Sequence, residues 1–293
     1  MTPATQPSKC KQLHDLILSP EILVMPGAHD AFSARLIQEA GFKAIQISGF
    51  GVAASMLGLP DLGILSLRDQ VFAATCISQA VDIPVMADGD TGFGNAVNAY
   101  HTVRMLEAAG AAGVNLEDQA WPKRCGHMDG KQIIPMEEMV QKVRAASKAR
   151  RDAHFVINAR TDALALEGLE GAVRRGNAYA EAGATLIFVE APRSREDIAH
   201  LVKNIHAPIS INMLGSPGGK SPALSLAELQ DLGVARVSYP SLALSGATAG
   251  MRKALAGFRA QGSLEGLDLA SFSDLTTIVG LPFHQALEKE VRS

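Results

Sequence analysis

The chain has 293 residues, 47% hydrophobic and 19% charged, with a net charge of −3. That length suits a single α/β barrel better than two full domains. The near-neutral charge, with no Lys/Arg run interleaved with aromatics, gives no electrostatic case for nucleic acid. Cys10, Cys76 and Cys125 are an odd number at wide spacing, which argues against a disulfide framework or a paired-cysteine zinc site and points to a reducing compartment. The N-terminus is polar, without a secretory core, and no apolar run nears the roughly 20 residues that cross a bilayer; the expected location is cytoplasmic.

After the polar start, Leu13, Leu16 and Ile17 have helical spacing over 11–18, and Pro20 stops that helix. A rhythm of short apolar run, polar or glycine-rich loop and amphipathic stretch then begins. The apolar runs are Ile22–Met25, Ala44–Ser48, Ile83–Ala87, Gly113–Leu116, Phe155–Ala159, Leu186–Val189, Ile209–Met213 and Ala235–Tyr239. Their continuous apolar character suits parallel strands buried on both faces. Between them, Phe32, Leu36 and Ile37 share one helical face, as do Val103 and Leu106. Gly41, Gly110, Gly183 and Gly233 each close a helical stretch just before an apolar run, as a left-handed helix terminator does. Eight strands alternating with helices predict a (β/α)8 barrel. A doubly wound sheet is the alternative, but no GxGxxG follows the first strand.

A barrel places its chemistry at the C-terminal strand ends and the loops after them. Those positions read Ser48–Gly51, Asp88–Asp90, Glu117–Asp118, Arg160–Asp162, Glu190, Asn212 and Pro240–Ser241. Nearly all are polar, and acids dominate. Asp88, Asp90 and Glu117, with Asp61 in the loop after the second strand, repel one another unless a cation lies between them. An all-oxygen set suits Mg²⁺ or Mn²⁺ better than zinc; helix capping is the competing reading for Asp88 and Asp90. In Glu117–His127 the acids lead into Cys125, which is set among Lys123, Arg124 and His127. Positive neighbours favour a thiolate, so Cys125 is a candidate proton donor or nucleophile, while the segment alone reads equally as a surface loop. Pro217–Ser221 lacks phosphate-loop spacing and reads as a flexible substrate loop, and the ten scattered methionines read as core filler.

Taken together, Pro26–Asp30, Ser48–Gly51, Leu57–Asp61, Asp88–Gly92, Leu116–Gln119, Lys123–His127 and Ala159–Ala163 resemble, in order, the motifs of the isocitrate lyase/phosphoenolpyruvate mutase superfamily. The Lys123-Arg124-Cys125-Gly126-His127 element resembles its carbon–carbon lyase branch, since phosphonate-forming members do not carry that cysteine. The resemblance implies that Asp88 and Asp90 hold Mg²⁺, with Asp61 and Glu117 helping directly or through water. It also implies that Ser48, Gly49 and Gly51 bind the 2-oxo-acid carboxylate and that Arg160 pairs with a substrate carboxylate. By the same resemblance His127, Glu190 and Asn212 would line the pocket, Lys123, Arg124, Gly126, Pro240 and Ser241 would add contacts, and Cys125 would deliver the proton. The segment 121–131 is expected to close over the substrate. The family further implies a homotetramer that exchanges a C-terminal helix, here within Ser271–Val291 of a helical extension covering 263–293, acting on a small di- or tricarboxylate. The pairing of Trp121 and Pro122 before Lys123, and Asn212-Met213 ahead of Gly218-Gly219-Lys220-Ser221-Pro222, resemble the dimethylmalate lyase and petal-death-protein branch. 2-Methylisocitrate lyase is the close alternative, then oxaloacetate hydrolase, then a phosphonopyruvate-type mutase.

Overall fold

The computed structural model describes residues 7–126, 130–215, 218 and 221–292. His127 and most of the 217–221 loop lie outside the described residues. Eight parallel strands close into one barrel in chain order: β1 (Leu23–Ala28), β2 (Ile45–Ile47), β3 (Val85–Asp88), β4 (Gly113–Glu117), β5 (Val156–Thr161), β6 (Leu186–Val189), β7 (Ile209–Asn212) and β8 (Arg236–Tyr239), with β8 pairing back onto β1. The (β/α)8 expectation is met. No helix among the described residues is long and apolar enough to cross a membrane.

The helices follow from local signals. Ser8 caps α1 (Lys9–Ile17), which plugs Leu13 and Ile17 into the core below the barrel. Asp30, Ser66 and Asn95 close capping boxes on α2 (Ala31–Glu39), α4 (Leu67–Ala80) and α5 (Ala96–Ala108), satisfying backbone N–H groups that a helix start otherwise leaves open. Between α2 and α4, the short α3 (Gly49–Val52) runs into a π-helical turn, Ala53–Leu57. The ring continues through α6 (Met136–Ala149), α7 (Leu164–Glu181), α8 (Arg195–Asn204) and α9 (Leu226–Asp231). Gly41, Gly110, Gly183 and Gly233 all have φ between +83° and +109°, the conformation in which glycine pays no Cβ penalty.

Several boundaries differ from expectation, for physical reasons. β3, β4 and β5 run on through Asp88, Glu117 and Arg160–Thr161, because parallel register supplies backbone partners there: Asp88 lies opposite Asn115, and Glu117 opposite Arg160. A charged side chain does not stop a strand whose backbone is still paired. On α2 only Ile37 of the expected apolar trio is buried; Phe32 and Leu36 are partly exposed and face a groove toward the helix after β8. The C-terminal segment is two helices rather than one, α11 (Phe272–Ile278) and α12 (Leu281–Arg292), separated at Gly280 with φ +80°. They follow α10 (Leu242–Gln261), a 20-residue helix with no buried residue.

The barrel interior is partly polar. Arg236, wholly buried, donates to Ser210 Oγ (2.8 Å) and to Gln46 Oε1, and Asn158 donates to Asn115 Oδ1 (2.7 Å). Burial alone pushes the Arg236 guanidinium down to about 9. Above this layer the rim opens into the candidate site.

Candidate active site

One side of the rim is built on the ends of β2, β3 and β4. The Ser48 hydroxyl caps α3 by accepting from Gly51 N–H (3.0 Å). Gly49 N–H donates to Asp88 Oδ2 (3.1 Å), and a Cβ on Gly49 would lie 2.2 Å from that oxygen, so only glycine allows this approach. Asp88 Oδ1 accepts from Asp90 N–H (3.1 Å), while the Asp90 carbonyl accepts from Glu117 N–H (2.9 Å). Asp90 is held at φ +44°, a left-handed backbone that costs a non-glycine residue energy and that gathers at functional sites. Lys123, 4% exposed, places Nζ 2.6 Å from Asp61 Oδ1 and 2.8 Å from Asp90 Oδ1. Burial works against its charge, but Asp90, Glu117, Asp61 and Asp88 outweigh that and hold the ammonium well above the usual lysine range.

The other side centres on Arg160. Its guanidinium takes Asp162 through Nε (2.9 Å) and Nη2 (3.1 Å), Glu117 through Nη1 (3.2 Å) and Glu190 through Nη2 (3.3 Å), and lies over the Phe188 ring at 5.3 Å. Burial opposes this charge too, and Asp162, Glu117 and Glu190 more than offset it. Burial pushes the Glu117 carboxyl well up, against the pull of Arg160 and Lys123. Next to Glu117, Asp118 points the other way, as strand alternation requires, and does structural work. It accepts from Thr161 Oγ1 (2.7 Å), Asp162 N–H (2.9 Å), Tyr179 Oη (2.7 Å) and Arg175 Nη1 (3.2 Å).

The cysteine loop is pinned over this cluster. The Gln119 side chain donates to the Arg124 carbonyl (2.9 Å) and accepts from Arg124 N–H (3.0 Å), folding the loop back on itself. Cys125 N–H donates to the Asp61 carbonyl (3.3 Å). Lys131 Nζ donates to the Gly126 carbonyl and to Asp162 Oδ1, both at 2.6 Å. Gly126 approaches so closely that a Cβ there would lie 2.4 Å from both Arg160 Nη2 and Glu190 Cδ.

These elements surround a cavity of about 770 Å³. Of the expected residues, Ser48, Gly49, Asp61, Asp88, Lys123, Cys125, Gly126, Arg160, Glu190, Asn212, Pro240 and Ser241 line it, and Asp90 and Glu117 lie buried behind it. Arg124 does not line it: its side chain is exposed, and only its backbone serves the loop. Gly51 is likewise behind the wall, its N–H committed to Ser48. Trp121 packs outside against Phe93, 6.2 Å between ring centroids. Gln46, Asn115, Phe188 and Ser238 also line the cavity. Each stands two residues before a rim residue already singled out, so the period-2 alternation of strand side chains identifies them. The α10 residues Leu244, Ser245, Thr248 and Arg252 line it as well, and no local motif marks them.

The residues fit a divalent cation, although no three carboxylates among the described residues are arranged as a ready cage. Lys123 takes up Asp61 and Asp90, and Arg160 takes up Glu117. Six acids (Asp61, Asp88, Asp90, Glu117, Asp162, Glu190) nevertheless share the site with four cations (Lys123, Lys131, Arg160 and, on the far wall, Arg252). Glu117 Oε1 is buried with no hydrogen-bond partner among the described residues. Surplus buried negative charge with an orphaned carboxylate oxygen is what an oxygen-liganded cation relieves.

The comparisons agree with this geometry. A family model described as phosphoenolpyruvate phosphomutase matches residues 13–259. The 2,3-dimethylmalate lyase of Eubacterium barkeri is 41% identical over 92% of this chain and 93% of its own length. The 2-methylisocitrate lyase of Bacillus subtilis (strain 168) is 38% identical over 98% and 95%. Among solved structures, oxaloacetate acetylhydrolase in complex with 3,3-difluorooxalacetate superposes with a TM-score of 0.92 at 33% identity, covering 98% of both chains. Phosphonopyruvate hydrolase in complex with oxalate and Mg²⁺ superposes with a TM-score of 0.89 at 32% identity, covering 98% of this chain and all of that one. The chain belongs to the phosphoenolpyruvate phosphomutase family and is an enzyme of the carbon–carbon lyase branch of the isocitrate lyase/phosphoenolpyruvate mutase superfamily.

Proposed function

We propose that the protein cleaves the C2–C3 bond of a 2-alkylmalate such as 2,3-dimethylmalate, giving pyruvate and a short carboxylate. The observation that carries this reading is Cys125, placed on the cavity wall by a loop pinned over the Arg160–Glu190 pair and facing the acidic rim. Asp88 and Asp90 would hold Mg²⁺, with Asp61 and Glu117 nearby. When bound, the ion lowers the pKa of the substrate hydroxyl and offsets the charge that develops on its oxygen.

The chain's own groups do the rest. The Ser48 hydroxyl donates to the C1 carboxylate and the Gly49 N–H joins it by exchanging its internal acceptor, while the Gly51 N–H holds the Ser48 oxygen in place. Glu117, through its unpartnered Oε1, takes the C2 hydroxyl proton directly or across one water. As C2–C3 breaks, its electron pair stays on C3 as a carbanion delocalised into the neighbouring carboxylate. Lys123 and Arg160, held firmly cationic, stabilise that charge, and Cys125 Sγ–H delivers one proton to C3. Glu190, Asn212, Pro240 and Ser241 position the substrate; the role that the family resemblance gives His127 falls outside the described residues. The seating of Gly126 against Arg160 and Glu190 supports the loop as a lid that keeps water from the carbanion. Arg124 contributes through its backbone clasp.

Cys125 supports a lyase over a phosphonate mutase. Ser241, the hydroxyl residue at the end of β8, donates to the Leu214 carbonyl, which favours lysis over hydrolysis of oxaloacetate. We further infer a homotetramer with exchanged C-terminal helices, supported by the exposed Phe272, Phe283 and Val291, and a cytoplasmic location, supported by the free cysteines. A panel of malates assayed for pyruvate with and without EDTA, beside oxaloacetate assayed for oxalate and acetate, tests the reaction. Mg²⁺-dependent pyruvate from an alkylmalate is expected; oxalate and acetate as the only products would overturn it.

A further inference from the structure

Arg236 opens β8 wholly buried, and among the described residues no carboxylate pairs with it. Its donors go instead to three neutral atoms: Met25 Sδ (3.3 Å), Ser210 Oγ (2.8 Å) and Gln46 Oε1. Taking a cation out of water without a counter-ion is costly, so packing alone is a poor reason for an arginine here. Gln46 connects it to the cavity, whose wall Gln46 joins and Arg236 does not. The orientation of the Gln46 amide is fixed twice. A guanidinium only donates, so Oε1 must face Arg236, and Nε2 gives one proton to the Ile47 carbonyl (2.8 Å). Turned over, the amide would set N–H against N–H and oxygen against oxygen. The second Nε2 proton has no acceptor among the described residues. Gln46 is 3% exposed, and a buried N–H left unpaired is unfavourable. Gln46 precedes Ser48 by two residues, so strand alternation turns both side chains toward the cavity, which both line.

We propose that Gln46 is a further substrate-binding residue, whose second Nε2 proton goes to an oxygen of the carboxylate held by Ser48, and that Arg236 is the positioning residue that fixes this donor. The inference rests on the reading of a substrate C1 carboxylate at Ser48 and deepens it. At this point the cavity wall offers a proton and no acceptor, which suits an ionised carboxylate. Arg236 touches neither the substrate nor the breaking bond. It acts through Gln46, by taking up the amide oxygen that would otherwise compete for the wall and repel the anion.

Oxalate, two joined carboxylates that copy the C1–C2 end of a 2-oxo acid, is the probe, titrated calorimetrically into the Mg²⁺-loaded full chain. Gln46→Met should weaken oxalate about 10- to 100-fold, the worth of one hydrogen bond to a charged group. Arg236→Met, which frees the amide to turn, should lose part of that affinity, and Arg236→Lys should recover some of it, since an ammonium also only donates. With Gln46→Met already present, Arg236→Met should cost nothing more, the non-additivity of two residues acting as one. That double variant removes both members of the buried pair and keeps the test alive if Gln46→Met alone fails to fold; circular dichroism checks each protein. Oxalate affinity within about twofold of wild type in the folded double variant, or no oxalate binding by wild type, overturns the assignment of Gln46. An equal loss from Arg236→Met with and without Gln46 overturns the positioning role. Pyruvate release from the malates, measured alongside, separates this inference from the lyase reading. Pyruvate with oxalate binding indifferent to Gln46 sinks the donor and leaves the lyase standing; Gln46-dependent binding without pyruvate from any malate does the reverse.

Discussion

Gly126 shows how closely the site is drawn at the scale of one residue. Its missing side chain lets the loop backbone sit against Arg160 and Glu190, where an added Cβ would meet atoms 2.4 Å away. Gly126→Ala should therefore lift the loop and displace Cys125. A shift of about 1 Å at a reacting group costs roughly 100-fold in rate, so kcat should fall by about that factor while the urea midpoint hardly moves. An unchanged kcat would show that the loop need not seat there. Neighbouring acids differ just as sharply. Glu117 faces Arg160 inside the rim, and Asp118 faces Thr161, Arg175 and Tyr179 outside it. Composition treats these two carboxylates alike, and only strand alternation separates them.

At the scale of elements, Asp118 ties the end of β4 to β5 and α7, and its replacement tests stability rather than chemistry. Removing one partner from a buried, charged network costs about 3–5 kcal/mol; Asp118→Ala should show that loss in urea unfolding, and a loss below about 1 kcal/mol would contradict the assignment. The strand ends were the readable part of the chain. Short, mostly apolar runs closing on Asp88, Glu117, Arg160 and Glu190 mark a barrel rim, because charged side chains gather where buried parallel strands reach their functional edge. Gln46, Asn115, Phe188 and Ser238 were hidden inside those runs, where polarity alone does not single them out and period-2 spacing does. The face that α10 turns to the cavity was not readable. The apolar Met251, Leu255 and Phe258 of that helix recur at helical spacing yet stay exposed, so the apolar stripe does not mark the inward face, and the cavity-lining Leu244, Ser245, Thr248 and Arg252 become a group only in three dimensions. The proposed metal set was readable as a charge surplus but not as a cage, since Lys123 and Arg160 occupy the same acids in the fold.

At the scale of the molecule, the C-terminal helices α10–α12 carry exposed Met251, Leu255, Phe272, Phe283 and Val291. Exposed apolar side chains on these helices suit the proposed tetramer interface, and light scattering should give about four times the 30.9 kDa chain mass, with truncation after Gly262 lowering that mass. A monomer for the full chain would remove the exchange of helices from the account. The account as a whole has Cys125 protonating the carbanion left by C2–C3 cleavage. Its most direct test is pyruvate release from 2,3-dimethylmalate and 2-methylisocitrate by wild-type protein and Cys125→Ser, with Mg²⁺ and product-analogue binding measured on the same samples. The account predicts near-equal binding and a turnover lower by orders of magnitude in the variant, about the 10²–10⁴-fold that a positioned proton donor contributes. Pyruvate released at the wild-type rate by Cys125→Ser would contradict it.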